Sequence, residues 1–170
     1  MSQLVRSHYL EPSEWDPVAV LVWNDAPPPR ENPELLWVTQ GNLRLDAPAS
    51  DPEVFRLEKH QGQLNAFALG ITVGRTQNND VMLDHDSVSR FHAYFQQDPH
   101  SGVWHVVDAE SSNGTFVEGA RLAPKRPAPL VDRARMKFGH VEVQFFSPAA
   151  FGQQLDDKVN PGKAKPSRPR

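Results

Sequence analysis

The chain has 170 residues and a formal net charge of -3, so one domain with extensions is expected, with no global basic field for nucleic acid and no acidic solvating tail. It has no cysteine, which excludes disulfides, thiolate metal sites and cysteine nucleophiles. No apolar stretch is long enough to cross a bilayer and the first ten residues carry no signal-peptide run, so a soluble, cytoplasmic protein is expected.

Val18 to Trp23 reads as a strand. Asp25 to Pro33, with Pro27-Pro28-Pro29, is a break or an extended polyproline stretch. Leu35 to Val38 and Asn42 to Leu45, around Gln40-Gly41, read as a hairpin. Trp15, Trp23 and Trp37 all fall in this N-terminal extension, residues 1–53. So many tryptophans argue for packing onto the main domain or a partner. From Val54 onward the pattern is β. Phe67, Leu69, Ile71 and Val73 alternate with Ala66, Ala68, Gly70 and Thr72, as in a half-buried strand. Short strands follow at Val81 to Leu83, Ala93 to Gln96 and Val103 to Asp108, the last two joined by the turn His100-Ser101-Gly102. Thr115 to Val117 comes after Asn113-Gly114, which reads as a type I′ turn with positive φ at both positions. Met136 to Phe138 and Val141 to Phe146 form a closing hairpin around Gly139-His140. Short strands separated by turns mean a sandwich or a barrel. No segment has a long helical period. Residues 148–170, with Lys158, Lys163, Lys165, Arg168 and Arg170 among prolines, read as a disordered basic tail.

Three polar stretches punctuate the β region: Gly74-Arg75, Ser89-Arg90-Phe91-His92 and Ser112-Asn113-Gly114-Thr115. Loops at one end of a strand framework would bring Arg75, Ser89, Arg90 and Asn113 together. Two cations, a hydroxyl and an amide suit a phosphate attached to a peptide. A planar guanidinium offers a fixed fork of donors to phosphate oxygens, and the serine a compact hydroxyl. Ser87 is the rival to Ser89. Arg90 offers either its side chain or its backbone N–H. The His92 ring is suited to bridging loop backbone groups.

The order and spacing of these stretches resemble the forkhead-associated (FHA) domain. The matching run is Ile71 to Arg75, Asn79 to Leu83, Ser87 to Ala93, Asp108, Ser111 to Val117, Leu130 and Phe138-Gly139. The resemblance covers residues 54–147 and implies an all-β, two-sheet antiparallel β-sandwich that binds phosphothreonine peptides through loops at one end. It implies phosphate contacts from Arg75, Ser89 and Arg90. It also implies that Ser112 and Asn113 contact the phosphothreonine and its flanking backbone, and that Gly74, His92 and Gly114 shape the loops. Many members have a Gly-Asp turn before the final Phe-Gly; here Arg133-Ala134 stand in its place.

The expected function is therefore a phosphothreonine-binding interaction module in Ser/Thr-kinase signalling. Its partner would be a phosphothreonine protein, either a Ser/Thr kinase or its substrate, with no nucleic acid, membrane, cofactor or metal. Catalysis is not expected. Ser89, His92 and Asp108 lack a nucleophile elbow, and Asp84, His85, Asp86 and His92 have no recognised metal spacing. The alternative is a phosphate-independent scaffold or dimerisation module that makes its contacts through the N-terminal extension.

Overall fold

A computed structural model describes residues 18–26, 52–59, 67–68 and 70–159. Two sheets face each other. The six-stranded sheet runs in the order β2 (Glu53–Arg56), β1 (Val20–Trp23), β11 (Val141–Phe146), β10 (Arg135–Phe138), β7 (Thr115–Val117), β8 (Ala120–Arg121). The five-stranded sheet runs β4 (Val81–Met82), β3 (Ile71–Gly74), β5 (Ala93–Gln97), β6 (Trp104–Asp108), β9 (Pro127–Pro129). Pairing among these described strands is antiparallel except for the short parallel contact of β3 with β4. This is the two-sheet β-sandwich that the resemblance implied, where the strand pattern alone allowed a sandwich or a barrel.

The alternation rule explains the inner faces. Val141, Val143 and Phe145 of β11, Met136 and Phe138 of β10, and Phe95 and Val106 of the other sheet fill one core between the sheets. β1 breaks the alternation because all four of its residues are buried. Leu21 and Trp23 point into the main core, while Val20 and Val22 meet Phe146, Ala150 and Phe151 on the opposite face. A strand covered on both sides reads as a continuous apolar run. β1 lies between β2 and β11 in register, with Leu21 opposite Phe55 and Phe145. Trp23 is thus a core residue, 5% exposed. Trp15, Trp37, the proline stretch and the 35–45 hairpin lie outside the described residues.

What covers β1 is a helix, α1 (Pro148–Val159), where a disordered tail was expected to begin. Its start carries the usual signals. Ser147 caps it, with its Oγ accepting from the Ala150 N–H at 3.3 Å. Pro148 sits in the first turn, where its missing N–H costs nothing. Ala150, Phe151 and Leu155 then supply an apolar face too sparse to show a helical period. Residues 160–170 lie outside the described residues. Among those described, no helix is long and apolar enough to cross a membrane.

The alternating strand begins at Ile71 rather than further upstream: Phe67 and Ala68 are outside any strand, and Leu69 is not described. The 131–134 turn keeps a left-handed backbone although no glycine is present, since Arg133 has φ 63°. The turn is held by the Ala134 N–H on the Val131 carbonyl at 3.2 Å and by Gln144 Nε2 on the Arg133 carbonyl at 2.8 Å. A non-glycine residue there carries about 1–2 kcal/mol of backbone strain. Arg133→Gly is expected to stabilise the fold by about 1 kcal/mol after the entropy cost of glycine. That would appear as a higher urea midpoint with an unchanged slope.

Candidate functional site

Four connections meet at one end of the sandwich: residues 75–80 after β3, 83–92 before β5, 109–114 after β6, and the β10–β11 turn at Gly139-His140. The Arg75 N–H donates to the Ser89 carbonyl at 3.0 Å. Asn79 Nδ2 and Thr76 Oγ1 both donate to the Arg90 carbonyl, at 2.7 and 3.0 Å. Gly74 lies so close under this loop that a Cβ there would stand 2.2 Å from the Arg90 carbonyl oxygen. Any larger residue would push the loop away.

His92 is fully buried. Its Nδ1 accepts the Ser89 backbone N–H at 3.0 Å, and its Nε2 donates to the Gly114 carbonyl at 3.2 Å. These two bonds set the neutral tautomer and tie the loop before β5 to the loop before β7. The ring also meets Phe138 edge-on at 5.6 Å. Burial holds the His92 pKa below its ordinary 6.5, against smaller opposing pulls from the Gly114 carbonyl and the Asp108 carboxylate. The sign follows from linkage. Below pH 6.5 the unfolded chain takes up a proton that the folded ring resists. The stabilising contribution is therefore full above 6.5 and is lost as pH falls through the lower folded value. In thermal melts, the stability gap between wild type and His92→Gln is expected to narrow as pH is lowered from 7.5 to 5.5.

The Asn113-Gly114 turn differs from expectation. Only Gly114 has positive φ, at 84°, and Asn113 is not left-handed. Instead the Asn113 amide is committed: its Nδ2 donates to the Ser87 carbonyl at 2.8 Å. The two-residue left-handed turn falls one hairpin later, at Glu118 and Gly119 between β7 and β8.

Ser87 and Ser89 now separate. Ser87 is buried, and its Oγ accepts the His140 N–H at 2.9 Å and bonds the His85 ring at 2.8 Å. Ser89 faces the loops after β6. Its Oγ accepts the Ser112 N–H at 3.0 Å and lies 3.4 Å from Ser112 Oγ. Asp108, also buried, accepts from Ser111 and Thr115 and so builds the 109–114 loop. Ser89, His92 and Asp108 form no relay, because His92 meets the backbone of Ser89 and not its hydroxyl. Among the described residues, no three His, Asp or Glu side chains gather as a metal site.

These loops enclose a cleft of ≈ 720 Å³ lined by Arg75, Asp86, Ser89, Arg90, Ser112 and Asn113, with Thr76, Phe91 and Glu110 at its margins. The Arg75 guanidinium has one loose ion pair, with Asp86 at 3.7 Å. Glu110 is paired with Lys125 at 2.8 Å. The Arg90 side chain is exposed and makes no hydrogen bond or ion pair among the described residues. All five side chains named as peptide-binding from the sequence therefore line one cleft, and the three loop-shaping residues lie behind it. Asn79, Ser87, Asp86 and Phe91 were assigned no role in that reading. A second cleft of ≈ 720 Å³ at the other end of the five-stranded sheet is lined by Ile71, Gln97 and Trp104. Its one cation among the described residues, Lys59, is paired with Asp80 at 2.8 Å. Of these two clefts, only the loop cleft has guanidinium groups among its described lining residues.

Comparisons with known proteins agree with this architecture. The family model described as the FHA domain matches residues 71–139. Among solved structures, the FHA domain of an Arabidopsis thaliana hypothetical protein superposes with a TM-score of 0.51 at 21% identity, covering 77% of this chain and 86% of that one. Mycobacterium tuberculosis EmbR, solved in complex with a low affinity phosphopeptide, is 25% identical with a TM-score of 0.45. That match covers 56% of this chain but only 22% of EmbR, so this chain spans less than a quarter of EmbR. A structure from work on phosphothreonine-dependent FHA domain interactions is 20% identical with a TM-score of 0.47, covering 75% of this chain and 95% of that one. No curated protein matches the chain.

Proposed function

We propose that this chain, which carries a forkhead-associated domain over residues 71–139, is a phosphothreonine-peptide-binding interaction module without catalysis of its own. The observation that carries the reading is the cleft: two guanidinium groups and two serine hydroxyls converge on it, and the Arg90 guanidinium has no partner among the described residues. A phosphothreonine brings nearly two negative charges and three acceptor oxygens. Arg75 and Arg90 supply the charge, Ser89 and Ser112 the short hydroxyl donors, and the Asn113 carbonyl oxygen an acceptor for peptide main chain. Each charge-assisted hydrogen bond contributes about 1.5–3 kcal/mol. Several of them, less the ordering of a flexible peptide, give an affinity on the order of micromolar.

On this reading the partner is a protein phosphorylated on threonine, and the chain acts in Ser/Thr-kinase signalling as a reader of the kinase product. The working unit runs from β1 through α1, because β1 and α1 share an apolar seam with β11. The test is a peptide array carrying phosphothreonine, phosphoserine and unmodified threonine versions of each sequence, probed with wild type and Arg75→Ala. Selective binding of the phosphothreonine spots by wild type alone is expected. Equal signal from modified and unmodified spots would sink the proposal.

A further inference from the structure

One wall of the loop cleft is aromatic, and phosphate recognition has no use for it. Phe91 lines the cleft beside Thr76 and Arg90, and is 40% exposed. Its ring lies parallel to Tyr94, with centroids 6.4 Å apart and planes 8° apart. Phe67 completes the group, 5.5 Å from Phe91 and 4.8 Å from Tyr94. Tyr94 stands opposite Thr72 and Val107, while its neighbours Ala93 and Phe95 fill the core. The three rings therefore lie on the outer face of the five-stranded sheet and run up to the rim of the cleft.

The core does not need the Phe91 ring, which belongs to neither buried cluster. Its backbone is nonetheless held firmly. Asn79 and Thr76 grip the Arg90 carbonyl on one side, and the His92 N–H donates to the Val73 carbonyl at 2.9 Å on the other. A half-exposed aromatic surface on a fixed backbone is the kind of feature that anchors a partner's side chain. An extended peptide advances about 3.4 Å per residue. A residue within about three positions of a phosphothreonine seated between Arg75 and Ser112 would therefore reach the ring. Charge narrows the occupant. Arg75 and Arg90 line the same cleft as Phe91 and disfavour a peptide cation, and of the two carboxylates there Glu110 is paired with Lys125.

We propose that the Phe67–Phe91–Tyr94 surface is a second subsite of the cleft, taking a large apolar or aromatic side chain of the phosphorylated partner close to its phosphothreonine. The proposal rests on the phosphothreonine reading. It is tested by anisotropy titrations of phosphothreonine peptides in which each of the three positions on either side is in turn Ala, Leu, Phe or Lys. At one position Leu or Phe is expected to bind about five- to tenfold more tightly than Ala. Phe91→Ser should erase that preference while leaving the all-Ala peptide within about twofold, and Phe91→Leu should keep it. A lysine preference at that position, no apolar preference anywhere, or an equal loss for all peptides on Phe91→Ser would overturn the subsite. So would a change in oligomeric state on Phe91→Ser, seen by sedimentation without any change in peptide preference. Failure of wild type to bind any phosphothreonine peptide would overturn the underlying reading instead, and the subsite with it.

Discussion

Arg75→Ala is expected to weaken phosphothreonine-peptide binding by about 30- to 150-fold while leaving the melting temperature within experimental error. The binding loss corresponds to about 2–3 kcal/mol, the scale for removing a charge-assisted, forked contact to phosphate. The unchanged stability follows from the partners of Arg75. Its backbone N–H, which holds the Ser89 carbonyl, survives the substitution. Among the described residues its side chain pairs with Asp86 alone, at 3.7 Å, with the Asp86 carboxylate 88% exposed. A loose exposed pair contributes little to stability. Arg75→Lys keeps the charge but loses the planar fork, so an intermediate loss is expected. Calorimetric titration of one phosphopeptide against the three proteins checks the order. Equal affinities would remove Arg75 from the site.

Gly139→Ala is expected to be the most disruptive small substitution away from the cleft. Gly139 has φ 61°, and a Cβ there would stand 2.3 Å from the Ser87 carbonyl oxygen. The backbone term costs about 1–2 kcal/mol and the overpacking term about 1–3 kcal/mol. A loss of about 2–5 kcal/mol should appear as a lower denaturant midpoint. The same carbonyl accepts the Asn113 amide at 2.8 Å. Displacing it should also weaken phosphopeptide binding at temperatures where the variant is still folded. A binding loss no larger than the unfolded fraction explains would show that the strut does not position Asn113.

The parts of the fold legible in the sequence were those written in neighbouring residues. β5 and the β10–β11 hairpin largely alternate and are bounded by obvious turns, so local pattern and final structure agree. α1 was missed because its apolar face is sparse, Ala150, Phe151 and Leu155, and three prolines and a basic run lie beyond it. The site was legible as a set of residue types, since Arg75, Ser89, Arg90, Ser112 and Asn113 do line one cleft. Its internal supports were not. Ser87 acts through partners 26 and 53 residues away, and no local pattern distinguishes a buried bridging serine from an exposed one. The Asn113-Gly114 turn was misread for the same reason. The dipeptide favours a left-handed pair in isolation, but the long-range bond to Ser87 holds Asn113 in a different backbone.

The bridge from Asn113 to Ser87 and on to His140 has a kinetic consequence. Three loops from three separate parts of the chain are already joined before any ligand arrives, so the cleft needs no assembly step. The ordering cost of association then falls on the incoming segment alone. Related phosphopeptides should therefore meet the cleft at similar rates, and discrimination among them will be expressed in how long each one stays.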